Sequence, residues 1–301
     1  TDTGSAIDYL KQQSLPVVIK ADGLAAGKGV VIVESLQHGI DTIHAMMQAG
    51  KFGRAGERIV IEEFLQGEEA SFIAMVDGEH ILPLATSQDH KARDDGDLGP
   101  NTGGMGAYSP APIVDDALHQ RIMAEVMVPT VKGMAAEGVP YTGFLYAGVM
   151  VTADGTPKVL EFNCRFGDPE TQPIMMRLQS DLVDLCQAAL DKKLDSVSAK
   201  WDPRVALGVV LAAGGYPDNY RKGDIIHGLS TANNAKVFHA GTATDNSNIV
   251  TNGGRVLCVC ALGDDAQQAQ QAAYSAVAAI DWAGMQYRKD IGHRAIARLA
   301  R

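Results

Sequence analysis

Apolar residues in this chain recur in short runs bounded by Gly, Asp and Pro, a pattern typical of strands separated by turns. The runs predict strands over 16–21, 30–34, 58–64, 70–76, 80–85, 145–152, 158–163, 205–212 and 256–262. Apolar positions at helical spacing predict helices over 36–48, 114–137, 180–193 and 265–280. Strands and helices do not alternate regularly, so the pattern favours an α+β fold built mostly of antiparallel hairpins.

One long stretch, 87–112, has no clear period and is rich in Asp, Gly and Pro. The pattern predicts an irregular segment there, either a mobile flap that closes over a substrate or a flexible linker. A domain boundary is predicted near 190–202, where a helical pattern ends and a new set of strands begins.

Composition narrows the class of protein. The chain has 301 residues, of which 46% are hydrophobic and 21% charged, as expected of a protein with a sizeable core. Its net charge of −10 argues against broad binding to nucleic acid or to membrane surfaces. The four cysteines lack zinc-site spacing, so we expect reduced thiols in a cytoplasmic protein.

The first stretch with candidate chemistry runs from Lys20 through Gly27, Lys28 and Gly29. A lysine ends an apolar strand, and a loop of small residues follows. Glycines let backbone N–H groups approach phosphate oxygens, and lysines supply positive charge. The order is not that of a Walker loop, because a strand follows rather than a helix. An ordinary glycine-rich hairpin with exposed lysines is an equally good interpretation of this stretch alone.

Two acidic stretches lie at the ends of predicted strands. Glu62, Glu63, Phe64 and Leu65, with Glu69 shortly after, suit an adenine amino group and ribose hydroxyls, although a solvated acidic turn explains them too. Further along, Glu161 and Asn163 point to one face of a strand, because side chains alternate along it.

Two oxygen ligands on one face suit Mg²⁺. Arg165, just beyond them, is placed to offset the charge of a transferring phosphoryl group. The alternative for this stretch is a polar strand end with an Arg–Asp pair.

Taken in order, these stretches resemble the ATP-grasp superfamily: a strand lysine, a glycine-rich loop, Glu-Glu-Phe-Leu, and a late Glu-x-Asn. The motif Arg-Phe-Gly-Asp-Pro-Glu-Thr-Gln at 165–172 is similar to the signature of the phosphoribosylamine–glycine ligase family. Residues 89–110 and 287–295 resemble the same family, so the likeness covers essentially the whole chain.

The resemblance implies an ATP-grasp fold followed by a small, mainly β carboxy-terminal domain. The corresponding divisions are 1–70 (small subdomain), 71–193 (large subdomain with the metal site) and 194–301 (carboxy-terminal domain). It implies ligation of glycine to 5-phosphoribosylamine through a glycyl phosphate, giving glycinamide ribonucleotide, ADP and phosphate in purine synthesis.

Site residues follow from the same resemblance. Lys20 and Lys28, with Gly27 and Gly29, should contact the ATP phosphates. Residues 62–65 should hold adenine, and Glu69 the ribose. A magnesium or manganese ion should bind Glu161 and Asn163 and face the triphosphate. Lys28 and Arg165, with Asp89, Lys91 and Arg93, should act near the reacting carboxylate.

Two features of the chain depart from what is usual in ATP-grasp enzymes and in the family it resembles. Residues 146–150 carry no acidic side chain, where many ATP-grasp enzymes have a further metal ligand, so the number of metal ions stays open. The chain looks like the family without its amino-terminal domain. The alternatives are therefore a nucleotide-binding fragment without turnover, or another ATP-grasp carboxylate–amine ligase. A monomer is expected.

Overall fold

The fold is given by a computed structural model that describes residues 1–23, 29–231 and 235–299. The predicted phosphate-loop residues Gly27 and Lys28 lie outside the described residues. The chain divides into two units, Thr1–Gln66 and Gly67–Arg301.

The first unit is a three-stranded antiparallel sheet with helices on one face. Its elements are α1 (Thr3–Leu10), β1 (Val17–Ala21), β2 (Val30–Val33), α2 (Leu36–Met47) and β3 (Ile59–Glu63), with a 3₁₀ turn at Gly53–Gly56. The strand order is β2-β1-β3. Alternation along β1 buries Val17 and Ile19 against Ile43 and Met46 of α2, which leaves the other face of the sheet open.

The second unit holds the rest of the described chain. Its strands are β4 (Glu68–Asp77), β5 (Ile81–Pro83), β6 (Gln88–Asp89), β7 (Ala92–Asp94), β8 (Leu98–Asn101), β9 (Gly106–Ser109), β10 (Thr142–Val151), β11 (Pro157–Asn163), β12 (Val205–Ala212), β13 (Lys236–His239), β14 (Thr242–Asp245), β15 (Asn248–Thr251) and β16 (Arg255–Gly263). Its helices are α3 (Asp116–Ile122), α4 (Val128–Ala136), α5 (Thr171–Arg177), α6 (Leu182–Leu190), α7 (Ala266–Val277) and α8 (His293–Leu299). Single turns of 3₁₀ helix occur at Asp95–Asp97, Leu194–Ser196 and Leu229–Thr231.

One sheet of the second unit, in the order β11-β10-β4-β5, carries the predicted metal pair. Strands β4 and β10 pair along their whole length, from Thr142 opposite Asp77 to Val151 opposite Glu68. Both faces of β4 are buried: Phe72, Ala74 and Val76 pack towards α3 and its continuation, and the alternate residues pack towards α6. Strand β11 lies at the edge of this sheet and is mostly exposed or half-buried, so Glu161 and Asn163 stand beside a well-packed β10.

The second sheet has the order β13-β16-β12-β9-β6 and is covered by α7. Strands β6 and β9 belong to the stretch 87–112, and so do β7 and β8. The prediction of an irregular segment there is therefore wrong, whereas its closure over a substrate as a flap stays a prediction. These strands are too short and too rich in Gly and Asp to show a period. Strands β6 and β9 join this sheet because β9 pairs with β12, almost a hundred residues later in the chain, whereas β7 and β8 pair with each other in a separate two-stranded sheet.

Most of the predicted elements are confirmed within a few residues. The helix predicted over 114–137 is α3 and α4, joined by a π-helical turn at Met123–Met127. The short helices α1, α5 and α8 were not predicted, because seven or eight residues give little periodicity. The predicted boundaries at 70 and near 190–202 stay predictions.

All four cysteines are free thiols. Cys258 and Cys260 are buried in β16 with sulfur atoms 3.6 Å apart. Among the helices of the described residues, none has both the length and the apolar composition needed to cross a bilayer.

Candidate functional site

The open face of the first sheet combines an ion pair with exposed apolar side chains. Lys20 Nζ lies 2.6 Å from Glu62 Oε2 on the adjacent strand. Lys20 is directly opposite Val30 and Val60, so these three side chains share one face. Val30 is 48% exposed and Val60 41% exposed, so the face carries apolar side chains that solvent can reach. The face can accept a flat apolar group beside a charged one.

The neighbouring predicted residues lie at the edges of this sheet. Gly29 accepts a hydrogen bond of 2.8 Å from the backbone N–H of Ala21, which closes the loop after β1. Glu63 ends β3 and is exposed, and Phe64 and Leu65 follow in irregular, partly buried chain. The structure thus places Lys20 and Glu62 in contact within the first unit.

Glu161 and Asn163 lie side by side at the end of β11, as predicted. Asn163 Nδ2 donates a 3.1 Å hydrogen bond to Glu161 Oε1. Glu161 is opposite Gly148 and Asn163 is opposite Tyr146 on β10. Glu161 is exposed and Asn163 partly so. A half-turn of the Asn163 amide puts its oxygen beside the carboxylate, so the pair fits a hard divalent cation.

A second charged group lies on the same unit and centres on Lys91. Its Nζ is 2.5 Å from Glu69 Oε1 and 3.3 Å from Asp89 Oδ2. Burial alone would lower the pKa of Lys91, but the charges of Asp89 and Glu69 raise it well above its ordinary value. Lys91 is therefore a fixed positive charge at neutral pH. Burial raises the pKa of Glu69, partly offset by Lys91, while Asp89 and Glu161 raise it further.

Three residues extend this charged group that the sequence had not assigned. Ser71 Oγ donates to Glu170 Oε1 at 3.0 Å, and it accepts from the Tyr146 hydroxyl at 2.9 Å. Glu170 is 3% exposed. The only sequence signal for Glu170 was its place inside the motif at 165–172. Ser71 and Tyr146 gave no signal because they lie within apolar strands.

Two predicted residues lie apart from the Lys91 contacts. Arg165 is exposed, and its Nη1 donates to the Phe166 carbonyl oxygen at 2.8 Å. The Arg93 guanidinium is held by both carboxylate oxygens of Asp94, at 2.8 and 2.9 Å. Arg93 also lines a cavity of about 620 Å³ together with Tyr287 and Lys289. Roles for Arg93 and Arg165 stay predictions.

Comparison with known proteins places this architecture in a class. Residues 1–171 match the family described as phosphoribosylglycinamide synthetase, ATP-grasp (A) domain, and residues 206–294 match the phosphoribosylglycinamide synthetase C domain. The biotin carboxylase domain of 2-oxoglutarate carboxylase from Hydrogenobacter thermophilus shares the fold, with a TM-score of 0.70 at 15% identity over 95% of this chain and 61% of that chain. The fold and site define an ATP-grasp protein.

Relatives with higher identity narrow the class. The phosphoribosylamine–glycine ligase of Allochromatium vinosum is 67% identical over 300 residues, and that of Escherichia coli K12 is 62% identical over 301. Each alignment covers 99% of this chain and 70% of the relative. The crystal structure of the Thermotoga maritima ligase has a TM-score of 0.86 at 36% identity, covering 96% of this chain and 72% of that one.

The chain belongs to the phosphoribosylamine–glycine ligase family. The predicted ATP-grasp fold and the predicted class of enzyme, an ATP-dependent ligase, are thereby confirmed. The alternative of another ATP-grasp ligase family is set aside.

Proposed function

We propose that this chain ligates glycine to 5-phosphoribosylamine and converts ATP to ADP and phosphate, forming glycinamide ribonucleotide for purine biosynthesis. The observation that carries the proposal is the pairing of Glu161 with Asn163 on one strand, in a unit that also holds the Lys91 charge, within a chain of this family. The reaction has two steps. A glycine carboxylate oxygen attacks the γ-phosphorus of ATP, giving glycyl phosphate and ADP. The amine nitrogen of phosphoribosylamine then attacks the carbonyl carbon, phosphate leaves, and the nitrogen loses a proton.

Nucleotide binding is assigned to the open face of the first unit. The exposed Val30 and Val60 offer an apolar surface to adenine, and Lys20 offers a charge to a phosphate group. Residues 62–65 supply polar backbone and side-chain groups for the edge of the base. Glu69 supplies a partner for the ribose hydroxyls. The phosphate loop is formed by Gly27, Lys28 and Gly29.

Glu161 and Asn163 are the ligands proposed for a magnesium or manganese ion. Such an ion, when bound, would offset negative charge on the triphosphate. The oxygen donors and their partial exposure support this assignment.

Carboxylate activation is assigned to Lys91 and Arg165, with Asp89 holding Lys91 and Arg93 nearby in sequence. The carboxylate and the triphosphate are both anionic, so their approach requires fixed positive charge. Lys91 meets this need because its two acidic partners keep it protonated and restrict its position.

A coupled assay for ADP tests the proposal. We expect ADP release that requires both glycine and phosphoribosylamine, with the Escherichia coli relative as the positive control. ATP binding by calorimetry without such turnover would instead support the fragment that binds nucleotide and does not react. Failure to bind ATP in the presence of Mg²⁺ would contradict both.

Replacement of one metal ligand gives a sharper test. Glu161→Gln should lower turnover by about 10²-fold or more, because one charge-stabilising contact is lost. The fold should persist, since Glu161 is exposed. Glu137→Gln, an exposed carboxyl beyond α4, is the matched control and should keep normal turnover. Normal turnover of purified Glu161→Gln would show that the ligand assignment is wrong. We place the enzyme in the cytoplasm. We also propose that it is a monomer, and gel filtration checks this oligomeric state.

A further inference from the structure

The segment Arg288–Arg294 is tied to the segment His90–Asp97 by buried charges. Arg288 is 1% exposed. Its guanidinium donates to Asp97 Oδ1 and to both oxygens of Asp290, each at 2.8 Å, and to the Ala92 carbonyl oxygen at 3.2 Å. A buried guanidinium is tolerated only when it is paired in this way. Arg288 therefore holds the two segments together and is not available to an anionic ligand.

Each of the two segments also donates backbone hydrogen bonds to acidic side chains of the other. Backbone N–H groups of Gly96 and Lys289 donate to Asp290 and Asp95, at 2.8 and 2.7 Å. Arg294 donates to Asp97 Oδ2 at 2.6 Å. Asp97 has φ 58°, a left-handed conformation that persists in a non-glycine residue only when its surroundings fix it. Both carboxylate oxygens of Asp97 are thus held by arginines.

His90 joins this arrangement to the proposed active site. It lies between Asp89 and Lys91 in the chain, and the side chains of these two neighbours contact each other. The side chain of His90 points instead to the segment Arg288–Arg294, here called the tail. His90 is 1% exposed, and its Nε2 accepts a 3.0 Å hydrogen bond from the Gly292 backbone N–H. The residue between Asp89 and Lys91 therefore has a side chain that the tail holds in place.

A metal ion is the competing explanation for His90, Asp97 and His293, since their ligand atoms lie within 4.8 Å of one another. The hydrogen bonds argue against it. A fixed N–H points at His90 Nε2, so in the neutral ring the proton sits on Nδ1 and no lone pair is offered there. Both oxygens of Asp97 already accept from arginines. His90 Nδ1 lies 3.6 Å from Asp97 Oδ1, beyond hydrogen-bond range, and is otherwise unpartnered.

We infer that His90 is a positioning residue for the ligase reaction, because the Gly292 N–H fixes its ring and thereby fixes Lys91 and Asp89 beside the reacting carboxylate. The inference rests on the proposed function. We call His90, Asp97, Arg288 and Gly292 together the tail clamp. Its role is to hold Asp89 and Lys91 in position rather than to bind substrate.

A pair of substitutions separates positioning from packing. In His90→Gln the side-chain oxygen reaches the place of Nε2 and still accepts from Gly292, whereas in His90→Asn the oxygen takes about the position of the ring Nδ1 and does not reach the Gly292 N–H. Both variants lose the ring contacts, so both should melt at similar, lower temperatures. We expect His90→Asn to lower kcat per folded molecule by about 10-fold to 10²-fold, the loss typical of a misplacement near 1 Å. His90→Gln should recover most of it, and neither should change the Kd for ATP.

A second variant covers the case in which His90→Asn does not fold. Arg294 is 30% exposed at its side chain, so Arg294→Gln should fold while loosening Asp97, and kcat should fall by a few-fold. Arg221→Gln removes an exposed arginine paired with Asp224 in the same unit and should leave kcat unchanged.

The outcomes are distinct. Wild-type kcat per folded molecule in His90→Asn and in Arg294→Gln would overturn the inference alone. Equal loss in His90→Asn and His90→Gln would also overturn it, because the accepted hydrogen bond would then not matter. A wild-type chain with no glycine-dependent ADP release would remove the proposed function and this inference with it.

Discussion

The carboxyl group of Glu170 is buried beside Asp89 and Lys91 and accepts a hydrogen bond from Ser71. Burial raises the pKa of Glu170 to about 7, the charge of Asp89 adds to the effect, and Lys91 opposes it. Because an unfolded glutamate ionises near its ordinary pKa of 4.5, the folded chain keeps a proton there that the unfolded chain releases. Ionisation of Glu170 at higher pH therefore costs folding free energy.

Glu170→Gln should remove this cost. The stability contributed by protonated Glu170 is fully present below about pH 4.5 and is lost as pH rises through about 7. Relative to the wild type, the glutamine variant should thus gain stability between pH 5 and pH 8, by about 1–3 kcal/mol. Urea unfolding at both pH values measures the difference.

The exposed Glu137→Gln serves as the control for that experiment, and its stability relative to the wild type should not change over the same range. A difference between Glu170→Gln and the wild type that stays constant from pH 5 to pH 8 would show that Glu170 is ionised throughout.

At the scale of elements, the segment before β9 lies directly on the motif at 165–172. Gly104 has φ +111°, and a Cβ there would stand 2.4 Å from Pro169 Cδ. Arg255 of β16 donates to the carbonyl oxygens of Gly103 and Asp168, each at 2.7 Å. Three parts of the chain, far apart in sequence, therefore meet at Gly104, and a side chain at this position would push them apart.

Gly104→Ala should destabilise the chain by about 2 kcal/mol or more, because both the backbone conformation and the space forbid a side chain. Gly133→Ala is the matched control, since Gly133 lies in α4 with no atom within 4 Å of the added group. That substitution should stabilise by up to about 1 kcal/mol. Chemical denaturation followed by circular dichroism compares the two. Equal effects of the two substitutions would mean that Gly104 is not a close contact.

At the scale of the whole molecule, each of the two units has its own core. The first is formed around Ile19, Val33 and Ile43, and the second contains larger clusters around β4, β10, β12 and β16. The division falls after Gln66, in the irregular link between β3 and β4, which belong to different sheets. Separate cores predict separate folding.

A fragment of residues 67–301 should therefore unfold cooperatively by itself, with the Lys91 contacts intact. A fragment of residues 1–66 should be marginal, because cores of fewer than about 70–80 residues rarely supply more than a few kcal/mol. Thermal unfolding of both fragments by circular dichroism is the measurement. A broad, non-cooperative transition for 67–301 would show that its core depends on the first unit.

Sequence and structure agree best where a side chain acts close to its own position. Glu161 and Asn163 share a face because they are two residues apart on a strand, and any strand there gives that result. Agreement was poorest in the stretch 87–112, where β9 and β6 form through pairing with β12 and with each other, and the short strands β7 and β8 pair locally with an irregular register. Glu170, Ser71 and Tyr146 were missed for the same reason, since their contacts join β4, β10 and the start of α5.

The amino-acid sequence by itself determined the family, the α+β class, most strands and helices, and the placing of Glu161 and Asn163 on one face of β11, because each depends on local period or on a contiguous motif. Only the tertiary structure decided that Lys91 is enclosed by Glu69 and Asp89, that Glu170 is buried beside them, and that Arg288 pairs with Asp97. These contacts join residues up to almost two hundred positions apart. Burial and charge at such points depend on which segments pack together, and no short stretch of sequence contains that information.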